Sequence, residues 1–234
     1  MSFLKAEWRK LLMINYEIDP EILKPYVPKG TELDFYNNKC YVSLIGFMFV
    51  NTKLLGVKIP FHINFEEVNL RFYVKRKENE IDKRGVVFIK EIVPKLAITF
   101  VANTIYNENY ETLPMKHVWE EKEDKFNISY QWKTNKLWNK IEVNVKNEKK
   151  EIEDNSEIEF ISEHYWGYSK DKNKTTEYEV KHPKWKYYPL INYNVGVDFL
   201  ASYGKDFEFL NKQNPTSVFL LEGSGISVEN KTIL

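Results

Sequence analysis

The segment 62–75 decides the fold and reads His62-Ile63-Asn64-Phe65-Glu66-Glu67-Val68-Asn69-Leu70-Arg71-Phe72-Tyr73-Val74-Lys75. From Glu67 onward polar and apolar side chains alternate, and a period of two is typical of a β-strand whose faces meet different surroundings. The polar positions carry a carboxylate, an amide, a guanidinium and a phenol, at Glu67, Asn69, Arg71 and Tyr73. We therefore predict a strand over 64–76 that lines a polar pocket with one of its faces.

The guanidinium of Arg71 is a planar fork that suits a carboxylate, which can belong to a ligand or to the protein. Within the protein the candidates are Glu67 on the same strand and Glu91 on the strand predicted next. A pocket-lining arginine and a structural ion pair across the sheet fit the pattern equally well, since buried Arg–carboxylate pairs are common without function.

The composition favours sheet over helix and disfavours two classes of partner. Aromatic residues make up 15% of the 234 residues, and such residues are enriched in strands. Thirty-four basic and 34 acidic side chains cancel, so no overall field attracts nucleic acid or an anionic membrane. We expect a β-rich protein with neither nucleic acid nor membrane as a partner.

Cysteine usage and hydropathy point to the cytoplasm. Cys40 is the single cysteine, so no internal disulfide can form, which fits a reducing compartment. No signal peptide is visible, and no apolar run is long enough to span a bilayer.

Turn and cap signals divide the chain into short elements. Helices are expected over 19–26, 95–107, 197–203 and 207–212. Strands are expected over 39–50, 84–93, 126–132, 138–146, 157–169, 175–181, 217–222 and 226–231, with Gly223-Ser224-Gly225 as the hairpin turn between the last two. No repeat and no linker marks a boundary, so we expect one domain over 1–234.

The sequence predicts neither a metal site nor a nucleotide cofactor. The four histidines form no His-x-His or His-x-x-x-His pair, and one cysteine cannot build a zinc site. No glycine-rich phosphate-binding motif is present. We interpret His164, which lies in an aromatic run, as a hydrogen-bonded structural histidine in preference to a pH-active group.

Several short motifs follow one another in a characteristic order. They are Leu11-Leu12-Met13-Ile14-Asn15-Tyr16, Asp19-Pro20-Glu21, Pro28-Lys29-Gly30-Thr31, Tyr41-Val42-Ser43-Leu44-Ile45-Gly46-Phe47, Glu67-Val68-Asn69-Leu70-Arg71, Arg84-Gly85-Val86-Val87-Phe88, Leu113-Pro114-Met115, Glu163-His164-Tyr165-Trp166-Gly167-Tyr168 and His182-Pro183-Lys184-Trp185. Together they resemble the YqjF-like family of uncharacterised bacterial proteins across nearly the whole chain. That family is distantly similar to the acetoacetate decarboxylase superfamily.

The resemblance implies a mainly β fold, of α+β type with few short helices. Curved antiparallel sheets would wrap into a cone or barrel around an enclosed pocket. The β-rich composition agrees with this fold, although composition alone could not supply the topology.

The resemblance also implies candidate catalytic residues. In the decarboxylases a helix runs into a turn with two lysines, the first of which forms a Schiff base with the substrate ketone. The corresponding stretch puts Lys116 near that lysine and His117 near the second one. The pocket glutamate of the superfamily falls near Glu66, and its arginine falls on Glu17. The missing second lysine and the reversed charge make decarboxylation less expected than the fold.

Three functions remain open at this point. The first, which we expect, is binding of a small keto or carboxylic acid in an internal pocket, without a cofactor, by Glu67, Asn69, Arg71, Tyr73 and His117. The second is a decarboxylase-like lyase with Lys116 and Glu66 as catalytic residues. The third is a non-catalytic structural or interaction module. Exposed strand edges are compatible with a homo-oligomer.

Overall fold

The computed structural model describes residues 2–171 and 174–234, and strands dominate it. The strands are β1 (Leu4–Glu17), β2 (Glu32–Leu33), β3 (Tyr41–Leu54), β4 (Phe65–Glu78), β5 (Ile81–Val93), β6 (Tyr110–Thr112), β7 (Met115–Glu121), β8 (Lys125–Thr134), β9 (Leu137–Lys146), β10 (Lys150–Glu151), β11 (Trp166–Asp171), β12 (Lys174–Lys181), β13 (Lys186–Tyr188), β14 (Leu190–Gly196), β15 (Ser217–Val228) and β16 (Thr232–Ile233).

The helices are few and short. They are α1 (Pro20–Leu23), α2 (Leu96–Val101), α3 (Glu157–Ser162) and α4 (Phe199–Tyr203), with 3₁₀ segments at Lys24–Tyr26 and Lys205–Lys212 and a π-helical turn at Ala102–Tyr106. Among the described residues, none of these helices has the length and apolar character needed to cross a membrane. The helices predicted over 19–26, 95–107, 197–203 and 207–212 each correspond to an observed helical segment.

Seven strands close into a barrel in the order β15-β1-β3-β4-β5-β11-β12. The ring closes where Val180 and Lys181 of β12 pair with Val228 and Ser227 of β15. Neighbours around the ring are antiparallel except β5 and β11, which pair in parallel. A parallel pair requires a long crossover, and the 72 residues between β5 and β11 supply it and form a second sheet on the way. The predicted mainly β, barrel-like fold is confirmed.

The second sheet, in the order β14-β9-β8-β7, covers one outer side of the barrel. The outward face of β4 carries Val68, Leu70 and Phe72, all fully buried in one apolar cluster with Ile128 of β8 and Val143 of β9. The alternate residues of β4 point into the barrel instead. The predicted two-faced strand is therefore observed, with one face in a dry core between sheets and the other inside the barrel.

The prediction of a strand over 157–169 is wrong in its first half. Residues Glu157–Ser162 form α3, because the hydroxyl of Ser156 caps the helix by accepting a hydrogen bond from the Glu159 backbone N–H at 3.3 Å. The helix buries Ile158, Phe160 and Ile161. Only from Trp166 onward is the segment a strand.

The hairpin predicted at Gly223-Ser224-Gly225 is also wrong. Strand β15 runs through these residues without a turn and pairs with β1, Gly223 opposite Arg9. Gly223 has φ +79°, and a Cβ there would lie 1.9 Å from the carbonyl oxygen of Trp8. A glycine is required because the two backbones approach closely here, beside the irregularity in the pairing of β1 with β3 between Arg9 and Leu12, and not because the chain reverses.

Candidate functional site

A cavity of about 180 Å³ lies inside the barrel, and every barrel strand contributes residues to its wall. Most of the wall is apolar and aromatic, with α2 and the π-helical turn adding to it. A cavity of about 150 Å³ can hold benzene, so a ligand of roughly six to ten non-hydrogen atoms fits here. The polar groups in the wall are Glu67, Asn69, Arg71, Glu91, Glu108, Tyr110, His164 and Tyr178, with Thr52, His62 and Tyr106 at other points.

An irregularity in the pairing of β4 with β5 brings Glu91 and Phe88 to the same side of the sheet. Leu70 pairs with Lys90, but Arg71 pairs with Phe88, so Ile89 is an extra residue on β5. In a regular strand, residues three apart face opposite sides, and a β-bulge removes that constraint. Glu91 therefore joins the polar groups of β4 in the cavity wall, opposite Asn69.

Three carboxyl groups meet in one part of the cavity, which we call the acidic end: Glu67, Glu91 and Glu108. Glu67 accepts hydrogen bonds from Asn69 Nδ2 at 2.9 Å and from the hydroxyl of Tyr110 at 3.1 Å. Glu108 is partly exposed as a residue, but its carboxyl group points inward and accepts from Tyr178 at 2.8 Å. Glu91 is 2% exposed.

Burial makes these carboxyl groups hold their protons. It raises the pKa of Glu67 to about 7, against the hydrogen bonds from Asn69 and Tyr110 and the charge of Arg71. It raises the pKa of Glu108 to about 8, with repulsion from Glu67 adding to the effect. The pKa of Glu91 is raised well above its usual value by burial and by the two neighbouring carboxylates. Near neutral pH the acidic end therefore carries only part of its formal negative charge.

Arg71 supplies the positive charge of the other end of the site, which we call the cationic end; the neutral His164 lies beside it, and both contact the ring of Tyr73. The Arg71 Cζ lies 5.6 Å from the centroid of that ring, and the His164 ring centroid lies 4.6 Å from it. Arg71 is 9% exposed and donates from Nη2 to the carbonyl of Ile161 at 3.2 Å. Its Nε is buried and has no hydrogen-bond partner in the part of the chain that the structure describes.

His164 is held neutral. Burial lowers its pKa to about 4, against the attraction of Asp34 and with the charges of Arg84 and Arg71 assisting. Arg84 Nη2 lies 3.3 Å from His164 Nε2, and a guanidinium can only donate. Asp34 Oδ2, which accepts hydrogen bonds when ionised, lies at the same distance of 3.3 Å, so Nε2 contacts both a donor and an acceptor. The other ring nitrogen, Nδ1, is buried without a partner among the described residues. The interpretation of His164 as a hydrogen-bonded histidine among aromatic rings agrees with this geometry.

Gly167 gives Tyr178 its place in the wall. The two residues are paired across β11 and β12, and a Cβ at position 167 would lie 2.1 Å from Tyr178 Cζ. Any larger residue would push the phenol away from Glu108.

No metal site accompanies these carboxyl groups. Within the described residues, no group of three or more His, Cys, Asp or Glu side chains is arranged to hold a metal ion. The three glutamates are thus close enough to interact but not arranged as ligands of one metal.

One family matches this chain over residues 5–224. The chain belongs to the DUF2071 family. The family's description is "uncharacterized conserved protein". The chain is also 30% identical to the uncharacterized protein YqjF of Bacillus subtilis (strain 168) over 114 residues, which are 48% of this chain and 46% of that one. It thus spans about half the length of the curated relative it matches, and the predicted YqjF-like relationship is confirmed.

Three solved structures share the fold of this DUF2071 chain. Acetoacetate decarboxylase from Legionella pneumophila is 12% identical, with a TM-score of 0.66 over 99% of this chain and 86% of that one. An acetoacetate decarboxylase-like enzyme from Sphingomonas wittichii RW1 is 9% identical, with a TM-score of 0.68 over 100% and 93%. The enduracididine biosynthesis enzyme MppR, complexed with pyruvate, is 8% identical, with a TM-score of 0.67 over 100% and 91%. At these identities the likeness shows the fold alone.

The residues predicted to bind substrate in this DUF2071 chain divide into two groups. Glu67, Asn69 and Arg71 line the cavity. Tyr73 is on the same face of β4 but lies behind the wall, where its hydroxyl donates to Ser43 Oγ at 2.7 Å and its ring supports Arg71. His117 is elsewhere, on β7 of the second sheet.

The residues predicted to be catalytic also lie outside the cavity. Lys116 is exposed on β7, with its Nζ 4.5 Å from the ring centroid of Trp138. Glu66 faces away from the barrel interior and contacts His117 Nδ1 through Oε1 at 2.7 Å. None of the described residues that line the cavity is a lysine.

Sequence reasoning missed Glu108, Tyr110 and Tyr178 as site residues. Glu108 follows the helix predicted over 95–107, and nothing in the neighbouring sequence distinguishes it from a solvent-exposed acid. Tyr178 stood in a predicted strand, but only the barrel closure brings that strand to β11 and the cavity. Glu91 was considered solely as an ion-pair partner for Arg71, and the bulge at Ile89 has no sequence signal.

Proposed function

We propose that this protein binds a small carboxylic or keto acid inside its barrel, with the acid group held by Arg71. The observation that carries the proposal is the Nε–H of Arg71, a buried donor on a cavity-lining residue without a hydrogen-bond partner in the described chain. Nδ1 of His164, beside the same tyrosine ring, is a second buried nitrogen without a partner among the described residues.

An unpaired donor on a positively charged side chain in the cavity wall favours an anionic ligand. A buried polar group without a partner typically costs about 1–3 kcal/mol, and more when it is charged. A carboxylate accepts from a guanidinium in a planar, two-bonded geometry and would remove that cost. The protein's own carboxylates do not take this role, since no ion pair joins Arg71 to an acid within 4.0 Å in the described residues.

The cavity also limits the size and character of the acid. Its aromatic and aliphatic wall suits a short hydrocarbon chain, and its volume of about 180 Å³ restricts the ligand to a few carbons. The enzyme MppR, which has the same fold, was solved with pyruvate. That ligand belongs to MppR, but it supports the expectation that a barrel of this kind can hold a small keto acid.

The test is a melting-temperature series with pyruvate, acetoacetate, butyrate and pentanoate. We expect at least one acid to raise the melting temperature with its concentration, since a ligand that binds only the folded state stabilises it. The shift should be lost in Arg71→Met and retained in Arg76→Met, because Arg76 lies on the same strand but pairs with Glu78 and Glu177 outside the cavity. Shifts of equal size in both variants would contradict the role of Arg71.

The geometry favours this function over the two alternatives. An imine-forming enzyme needs a lysine beside its substrate, and Lys116 lies on the second sheet, away from the cavity. A structural module needs no unpaired polar groups in its interior. The absence of a melting-temperature shift with any acid of the panel would instead favour a structural module.

A further inference from the structure

The acidic end of the cavity has polar groups that a plain carboxylic acid would leave unused. Two buried oxygen atoms have no hydrogen-bond partner among the residues described: Asn69 Oδ1, which is an acceptor, and Glu91 Oε2, which is an acceptor once its carboxyl group is ionised. Both residues are 2% exposed and line the cavity. With Glu91 ionised, these two unpaired atoms are acceptors, whereas Nε of Arg71 is a donor, so the two ends of the cavity require opposite chemistry from a ligand.

The two ends are separated along the sheet. Asn69 lies directly opposite Glu91, and Arg71 is two residues farther along β4, a backbone distance of about 7 Å. Glu67 lies two residues from Asn69 in the other direction. A ligand that reaches from Arg71 to the acidic end therefore needs several carbons between its charged groups.

We propose that the ligand of this cavity is an ω-amino acid, whose carboxylate binds Arg71 and whose ammonium group binds Asn69 and Glu91. The proposal rests on the proposed function and adds a second charged group to the ligand. An ammonium group has three N–H donors and no acceptor, which suits a cluster of carboxyl and amide oxygens. An organic cation fits better than a metal ion because the described residues contain no metal-binding cluster.

The titratable groups around the acidic end determine how binding depends on pH. Glu67, Glu91 and Glu108 hold protons near neutral pH, for the reasons given above. Tyr110 and Tyr178 stay neutral because burial raises the pKa of both hydroxyls well above 10. At the cationic end, the guanidinium of Arg71 is charged, as arginine side chains are in proteins. The imidazole of His164 is neutral because burial lowers its pKa to about 4.

These charges give opposite pH dependences for the two kinds of ligand. An ammonium group prefers ionised carboxylates, so its binding should strengthen as pH rises from 6 to 8 and should release protons. A simple carboxylate is repelled by the same ionised groups, so its binding should weaken over that range. The imidazole of His62 also lines the cavity, so the comparison is repeated in His62→Asn to remove its contribution.

The experiment is isothermal titration calorimetry with matched pairs of ligands at pH 6, 7 and 8. The pairs are 4-aminobutyrate with butyrate, 5-aminopentanoate with pentanoate, and 6-aminohexanoate with hexanoate. At pH 8 we expect at least one amino acid to bind tenfold or more tightly than its partner acid. Titrations at pH 7 in phosphate and in Tris, which differ in ionisation enthalpy, should show proton release for that amino acid.

Two isosteric variants separate the ammonium site from the acid site. Glu91→Gln should remove most of the gain from the amino group and strengthen binding of the plain acid. Glu120→Gln is the matched control, because Glu120 is exposed on β7 of the second sheet, and it should bind both ligands like the parent protein. Circular dichroism checks that each variant is folded.

The outcomes distinguish the two proposals. If plain acids bind through Arg71 and no amino acid binds more tightly, the ammonium site is overturned and the acid-binding function stands. If an amino acid gains tenfold and Glu91→Gln removes the gain, the ammonium site is supported. If neither kind of ligand binds, both proposals are overturned.

Discussion

The two faces of β4 are buried to a similar degree but carry opposite chemistry. On the outward face, Val68, Leu70 and Phe72 are fully buried against the second sheet. On the inward face, Glu67, Asn69 and Arg71 are 2 to 9% exposed, and two of them carry polar atoms without a partner in the described chain.

The outward face of β4 stabilises the fold, whereas the inward face carries the candidate site. Burying apolar side chains contributes roughly 25 cal/mol for each Å² removed from water. Burying unpaired polar groups costs free energy, so the outward face must offset the cost of the polar inward face. A ligand that pairs with these polar groups would reduce that cost, which is the basis of the binding proposal.

The largest effect is expected on the outward face. Leu70→Ala should lower the free energy of unfolding by about 2–5 kcal/mol, since it removes apolar contacts and leaves a cavity between the sheets. Urea denaturation measures the loss. The same variant, where folded, should bind the acid ligand with unchanged affinity; a tenfold loss of affinity would mean that the two faces are not independent.

The inward face should make stability fall as pH rises. The folded state holds protons on Glu67 and Glu108 up to pKa values of about 7 and about 8, whereas the unfolded chain loses them near 4.5. The folded state thus binds more protons above pH 4.5, so the free energy of unfolding decreases with increasing pH, by an amount on the order of 3 kcal/mol between pH 6.5 and 8.

The free energy of unfolding is best measured between pH 6.5 and 8, where the two glutamates dominate its dependence on pH. Below this range His164, with its pKa lowered to about 4, acts in the opposite direction, because the unfolded chain protonates its histidine first. Glu108→Gln should flatten the decrease and stabilise the protein at pH 8, while the exposed control Glu120→Gln should not. Equal slopes for the two variants would show that Glu108 does not hold a proton in the folded state.

A smaller effect is expected for the cationic end. Arg71→Met should weaken binding of the acid by about 1.5–3 kcal/mol, or about tenfold to 150-fold, as is typical of a hydrogen bond to a charged group. Calorimetry with pentanoate measures the loss. Because Nε of this arginine has no partner among the described residues, its removal should cost much less unfolding free energy than Leu70→Ala; the reverse order would make Arg71 a structural residue.

The smallest effect is expected for Lys116. Lys116→Ala should change the free energy of unfolding by no more than about 0.5 kcal/mol, as for most exposed positions. It should leave acid binding unchanged. Borohydride reduction in the presence of pyruvate or acetoacetate should attach no mass to this lysine; a stable adduct at Lys116 would restore the imine-forming alternative.

The two faces of β4 could be predicted from the sequence because they depend only on a period of two. Asn69 and Arg71 lie on the pocket side for that reason. The location of Lys116 could not be predicted in this way. The resemblance gave its position along the chain but not the sheet to which its strand belongs. Strand β7, which carries it, belongs to a second sheet that packs on the outside of the barrel.

Other parts of the site depend on long-range geometry that leaves no local signal. Glu91 reaches the cavity because Ile89 is an extra residue in the ladder, and Tyr178 reaches it because Gly167 leaves room. Glu108 follows a π-helical turn that ends at Asn107 in a left-handed conformation. The position of Glu91 is set by its pairing with β4 and that of Tyr178 by its pairing with β11, rather than by their neighbours in sequence.

Acid binding by Arg71 can be observed at the arginine side chain itself. The chain has four arginines, Arg9, Arg71, Arg76 and Arg84, so the Nε–Hε signals of the ¹⁵N-labelled protein are few, and Arg71→Lys assigns the one of interest. On titration with pentanoate at pH 6.5 we predict that the Arg71 signal moves and saturates while the other three stay in place. A melting temperature that rises with pentanoate while the Arg71 signal does not move would show that the acid binds without Arg71.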